Sequence, residues 1–135
     1  MEIVWTTDLS VKNGVIDGQH KQLISKINDL IIGINNGNSK DEIVQIMDFL
    51  SKYIILHLGY EEKYMAKYEY PNLEEHKIHH EILIETVKEL SDLLIKIGPT
   101  ESLAFEIKER VGNWFLSHIA IKDADYAKFI KEQPN

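Results

Sequence analysis

Six histidines and no cysteine set the chemistry open to this chain of 135 residues. Disulfides, thiolate zinc sites, iron–sulfur clusters and cysteine nucleophiles are excluded. Any metal must be held by imidazole, carboxylate or backbone oxygen. His57 and Glu61 lie four residues apart, as do His76 and His80. On a helix that separation puts both side chains on one face. His20 and His118 stand further out, and Asp123 follows His118 by five residues. Nitrogen-rich ligation without thiolate suits iron, copper, zinc or nickel. Five imidazoles and two carboxylates are too many for one zinc ion, whose catalytic sites typically use three protein ligands. They suit two ions sharing bridging carboxylates. The chain has neither the Glu-x-x-His of ferritin-like di-iron sites nor the His-Glu-x-x-His of zinc peptidases. A site so poor in carboxylate is less suited to high-valent iron, which points away from oxygenase chemistry.

These residues need elements to position them. Residues 1–17 read as an arm: their apolar positions lack helical period, and Gly14 is expected to break any helix. A first helix is predicted from about Gly18 to Asn36, with Leu23, Ile24, Ile27, Ile31 and Ile34 inward. Ser39 and Glu42 form a capping box for a second helix, which runs to about Tyr68. Asn72 and Glu75 resemble such a start for a third, carrying Leu73, Leu83, Ile84, Val87, Leu90 and Leu94, and Gly98-Pro99 stops it. Thr100 caps a fourth, with Leu103, Ile107, Val111 and Trp114 inward, and a short fifth spans about Ala124 to Lys131. No strand pattern is present. The fold predicted is all-α: an up-down-up-down antiparallel four-helix bundle with an N-terminal arm and a short C-terminal helix. It forms a single domain over 1–135, with the bundle at 18–132.

Each apolar stripe runs into the candidate ligands. His20 precedes Leu23 and Ile27, His57 and Glu61 follow Ile54, His76 and His80 precede Leu83, and His118 follows Trp114. In alternating helices these positions, early in the odd ones and late in the even ones, meet at one end of the bundle. A buried polar group without a partner costs ~2–7 kcal/mol, while a domain is stable by only ~5–15 kcal/mol. The cluster must therefore be mutually satisfied, and a metal supplies the charge that five imidazoles and a carboxylate lack. Asp123 sits ~140° off the His118 face on a regular helix. A wide, π-type turn would swing it inward, and Asp125 is its rival; helical geometry alone leaves the choice open. His79 falls off the His76 face and is expected to be exposed, and Glu62 to be solvated. Tyr53, Tyr60, Tyr64 and Tyr68 read as core or rim packing, with Tyr64 the one that could approach the site.

The series His20 … His57-x-x-x-Glu61 … His76-x-x-x-His80 … His118-x-x-x-x-Asp123 resembles the hemerythrin family, in particular its single-domain bacterial members. The match spans nearly the whole chain. Flanking residues agree: Trp5, Ile16-Asp17-x-Gln19-His20-Lys21, Glu61-Glu62-x-x-Met65, Tyr70-Pro71 and Asp123-x-x-Tyr126. The resemblance implies a non-haem di-iron site. In it His76, His80 and His118 hold one iron, His20 and His57 the other. Glu61 and Asp123 bridge them beside an oxo or hydroxo group, so the family pattern favours Asp123 over Asp125. It further implies reversible O2 binding, end-on at the five-coordinate iron and held as hydroperoxide, in a pocket lined by Leu23, Leu58, Trp114, Phe115 and Ile119. Nitric oxide, azide or other small anions would compete there.

Composition narrows the remainder. The net charge is −7 with scattered lysines, which argues against nucleic acid as partner. No run approaches the ~20 apolar residues of a membrane helix. The N-terminus lacks a signal-peptide pattern, so the cytoplasm is the expected compartment. No large exposed apolar stripe is evident, so a monomer is expected. A carrier or store of O2 rather than an enzyme is the leading function. The alternatives are an O2 or redox sensor acting through a separate partner, and a di-iron redox enzyme reducing O2, peroxide or nitric oxide.

Overall fold

Asn13 starts the first helix: its side chain accepts hydrogen bonds from the backbone of Val15 and Ile16. A computed structural model describes residues 3–133. In it α1 spans Gly14–Asn35, four residues earlier than the period of the stripe suggests. Gly14 does not break the helix, because it occupies the first turn, where the Asn13 cap satisfies the free donors. The arm is correspondingly shorter. It makes one 3-10 turn, Thr7–Leu9, and is tied to α1 twice. Asp17 accepts from the Ser10 hydroxyl at 2.6 Å and the Val11 amide at 2.9 Å. The Asn28 side chain pairs with both backbone groups of Ile3 at 2.7 Å.

Gly37, with φ +66°, turns the chain out of α1, and Asn38 donates back to Gly33 at 2.8 Å. α2 spans Lys40–Lys67 and α3 spans Leu73–Ile97. The expected capping box at Ser39 does not form. The Ser39 hydroxyl instead donates at 2.5 Å to Glu101, tying the start of α2 to the start of the fourth rod. Asn72 likewise makes no side-chain cap, whereas Thr100 accepts from Leu103 as predicted. Gly98, with φ +78°, ends α3.

The fourth rod is helical throughout but not uniform. α4 (Glu101–Ile107) passes through a π-helical turn at Lys108–Asn113 into α5 (Trp114–His118). A second π turn at Ile119–Asp123 leads into α6 (Ala124–Lys131). The predicted short terminal helix therefore continues this rod rather than standing apart. Gly112 sits in the first π turn, where an added Cβ would meet Ile27 Cγ2 at 3.3 Å.

The four rods form an all-helical bundle, with no strand among the described residues. One large apolar cluster fills most of it, from Leu23 to Ile31, Ile43 to Leu58, Leu83 to Leu90 and Leu103 to Ile119. A smaller one, Val11, Ile16, Met65, Tyr70 and Tyr126, closes the end nearest the arm. The candidate ligands fall between the two on every rod. Ile84, expected inward, is exposed, and Ile55, Leu56, Ile82 and Ile121 also face outward. No described helix is long and apolar enough to cross a membrane.

Candidate metal centre

α1 carries His20, α2 carries His57 and Glu61, α3 carries His76 and His80, and the fourth rod carries His118 and Asp123. All seven are buried, with both carboxylates at 0% exposure. The Nε2 atom of His118 lies 3.1 Å from that of His76 and 3.3 Å from that of His80. Asp123 Oδ1 stands 3.1 Å from both His76 and His118, and Glu61 Oε1 stands 3.3 Å from His80. On the other side, His20 Nε2 is 3.2 Å from Asp123 Oδ2 and 3.4 Å from Glu61 Oε2. His57 Nε2 is 3.5 Å from Glu61 Oε1. Two groups of donors result: Glu61, His76, His80, His118 and Asp123 on one side, His20, His57 and Glu61 on the other.

This arrangement is poor as a hydrogen-bond network. The Nε2 atoms of His20 and His57, Glu61 Oε1 and both Asp123 oxygens are buried without a hydrogen-bond partner. It is good as a cage for cations. Neighbouring ligands on an ion with bonds of ~2.1 Å stand about 3.0 to 3.4 Å apart, close to the spacings observed. The residues present thus fit a pair of metal ions.

The hemerythrin HHE cation binding domain matches residues 12–130. The chain belongs to the hemerythrin family. Its similarity to known members runs along almost its full length. It is 28% identical to a bacteriohemerythrin of Stenotrophomonas maltophilia, over 98% of this chain and 84% of that one. A bacteriohemerythrin of Pseudomonas paraeruginosa is 30% identical, over 96% and 82%. One from Methylococcus capsulatus is 29% identical, over 92% and 93%.

In this hemerythrin-family site, three side chains orient the donors from behind. Gln19 Oε1 accepts from His57 Nδ1 at 2.7 Å, and Glu62 Oε2 accepts from His80 Nδ1 at 2.8 Å. Each bond places the ring proton on Nδ1 and leaves Nε2 free to bind a cation. Tyr126 donates to Glu61 Oε2 at 2.7 Å. Glu62 is therefore not a solvated bystander. It lies on the flank of α2 that meets α3, a placement that helical period along one chain segment does not reveal. Tyr64 stays away from the donors and packs on Tyr68 and Tyr126.

Without cations, protons compensate. Burial pulls His20 down, but the adjacent Asp123 and Glu61 carboxylates outweigh it and raise the imidazole to about 9. Burial dominates at His57 and lowers it to about 4. Burial and the nearby Asp123 push Glu61 up, yet the surrounding imidazoles hold it at about 2. Asp123 is held well below the usual carboxylate range against its burial by His118, His20 and His76.

Four of the five residues expected around a small ligand, Leu23, Leu58, Phe115 and Ile119, are buried in the large cluster. The Phe115 ring lies 5.6 Å from that of His20 and 6.2 Å from that of His57. Trp114 is placed differently. It stacks on His118 at 4.5 Å and 11° and lines a surface cleft with His79, Ser117, Ile121 and Lys122. His79 is half-buried rather than exposed, since it packs 6.3 Å from the His118 ring. Asp125 is exposed and accepts from the Tyr70 hydroxyl at 3.2 Å, outside the donor groups.

Proposed function

We propose that this protein binds dioxygen reversibly, for transport, storage or delivery, at two iron ions with a bridging oxo or hydroxo group. His76, His80 and His118 would hold one ion, His20 and His57 the other, with Glu61 and Asp123 between them. The observation that carries this proposal is the division of the donors, three imidazoles against two. The two-histidine side has one protein nitrogen fewer, and that side faces Phe115. Iron bound there supplies the electrons and the free ligand position that reversible capture of O2 needs.

The chain's own part is exclusion and support. Leu23, Leu58, Phe115 and Ile119 keep bulk water from that end, since an apolar cavity stays dry. Trp114 backs the three-histidine end instead, stacked on His118. Gln19 and Glu62 fix the imidazoles, and Tyr126 fixes Glu61. The role is that of a binding protein, not an enzyme. The proposed working form is a cytoplasmic monomer, with nitric oxide, azide and other small anions as competitors for the O2 position.

A metal assay with absorption spectra of the anaerobically reduced protein, before and after O2, tests this. Two irons per chain and a visible band that vanishes when O2 is removed are expected. Immediate irreversible oxidation would favour a redox enzyme or redox sensor. A different metal, or none, would overturn the proposal.

A further inference from the structure

Tyr53 is inverted for a tyrosine near a surface. Its side chain lines an outer groove with Lys26, Phe49, Lys52 and Leu56, yet its hydroxyl is buried. Among the described residues that hydroxyl has no hydrogen-bond partner. Buried tyrosines ordinarily give the hydroxyl a partner, and a buried polar group left without one points to a missing ligand, water or role.

Its location says which. Tyr53 precedes His57 by one turn of α2, and the two rings stack at 5.6 Å and 11°. Leu23 stands one turn beyond His20 on α1, and Phe115 one turn before His118. Because neighbouring rods run in opposite directions, all three lie on the same side of the donors, towards the large apolar cluster. Phe115 there covers His20 and His57. Leu23 and Phe115 on this side are apolar, so a buried hydroxyl there is an exception that packing does not require. Glu61 already takes the other nearby phenol, Tyr126.

We propose that the Tyr53 hydroxyl is the hydrogen-bond donor to a small anionic ligand held at the His20–His57 end of the centre, azide or a reduced form of dioxygen. This rests on the functional proposal above only in taking that end as the ligand position. A phenol is protonated at neutral pH, with an ordinary pKa of ~10, so it donates and does not repel an anion. The same contact would hold the ligand against escape and give the hydroxyl the partner it lacks.

Tyr53→Phe tests it, since it removes one oxygen and keeps the stack on His57. The iron-loaded protein is oxidised and titrated with azide, followed by its visible absorption. The variant is expected to bind azide about tenfold more weakly, the worth of one hydrogen bond, and to release O2 faster. The azide stretch should shift in heavy water for the parent protein and not for the variant. Thermal melting of the metal-free variant should match or exceed that of the parent. Equal azide affinity in the two proteins would overturn the proposal. A parent that binds azide but not O2 reversibly would defeat the carrier function, while the azide comparison would still decide the part of Tyr53.

Discussion

His118 Nε2 and Asp123 Oδ1 stand 3.1 Å apart although five residues separate them along one rod. On a regular α-helix they would point ~140° apart. The π turn at Ile119–Asp123 removes the discrepancy, because i→i+5 bonding brings the fifth residue back to the starting face. The turn also decides between the two aspartates: Asp123 joins the donors and Asp125 stays in solvent.

Metal content should follow that choice. Asp123→Asn keeps the volume of the side chain and removes its charge from between the two groups of imidazoles. The variant is expected to hold one ion per chain or none, and Asp125→Asn to hold as many as the parent. Elemental analysis after identical loading checks this, and equal content in both variants would refute the assignment of Asp123.

Glu62 should govern how tightly metal is held without touching it. Its carboxylate fixes the His80 ring at 2.8 Å. Glu62→Gln keeps an acceptor but loses the charge, and Glu62→Ala loses both. Affinity should fall in that order, by about 10- to 100-fold for the alanine variant. Competition for cobalt or zinc against a chromophoric chelator measures it. An alanine variant as tight as the parent would show that His80 needs no such support.

Stability of the metal-free protein should peak near pH 6.5. His57 is lowered to about 4 in the fold, so between pH 6.5 and 4 the unfolded chain binds the proton more readily and stability falls with acid. His20 is raised to about 9, so its contribution is full below 6.5 and is lost as pH climbs towards 9. Glu61, held at about 2, adds a further loss as pH drops below 4.5. Urea midpoints of the metal-free protein across pH 4 to 9 would display the maximum, and a flat profile would contradict it. Loading with metal should flatten the alkaline side, since the ion replaces the His20 proton.

Much of this centre is legible in the sequence. A stripe of period 3.6 fixes the face on which His20, His57, Glu61, His76 and His80 lie, and the order of the helices brings those faces to one end. What escapes sequence inspection depends on contacts between rods. Glu62 reads as solvated because the flank where it sits is covered only when α3 packs against α2. Ser39 reads as a cap because its partner, Glu101, is 62 residues away. Gly14 reads as a breaker because its freedom is visible and the Asn13 cap that opposes it is less so. Tyr126 is flagged only by the family pattern, since it lies beyond a π turn, where helical phase is reset and the earlier stripe no longer predicts which residues point inward. The inverted hydroxyl of Tyr53 has no sequence signal at all, since its ring satisfies the packing pattern.

The donors lie as a polar seam across the bundle, with Leu23, Leu58, Leu83 and Phe115 above and Ile16, Met65 and Tyr126 below. Apolar surface in one compartment gains nothing directly from the other. Emptied of cations, such a molecule is one large oil droplet and one small one sharing four rods, and the lesser droplet, to which the arm contributes Val11, is expected to loosen first. Filled, the seam becomes a weld, and the whole length melts as one body.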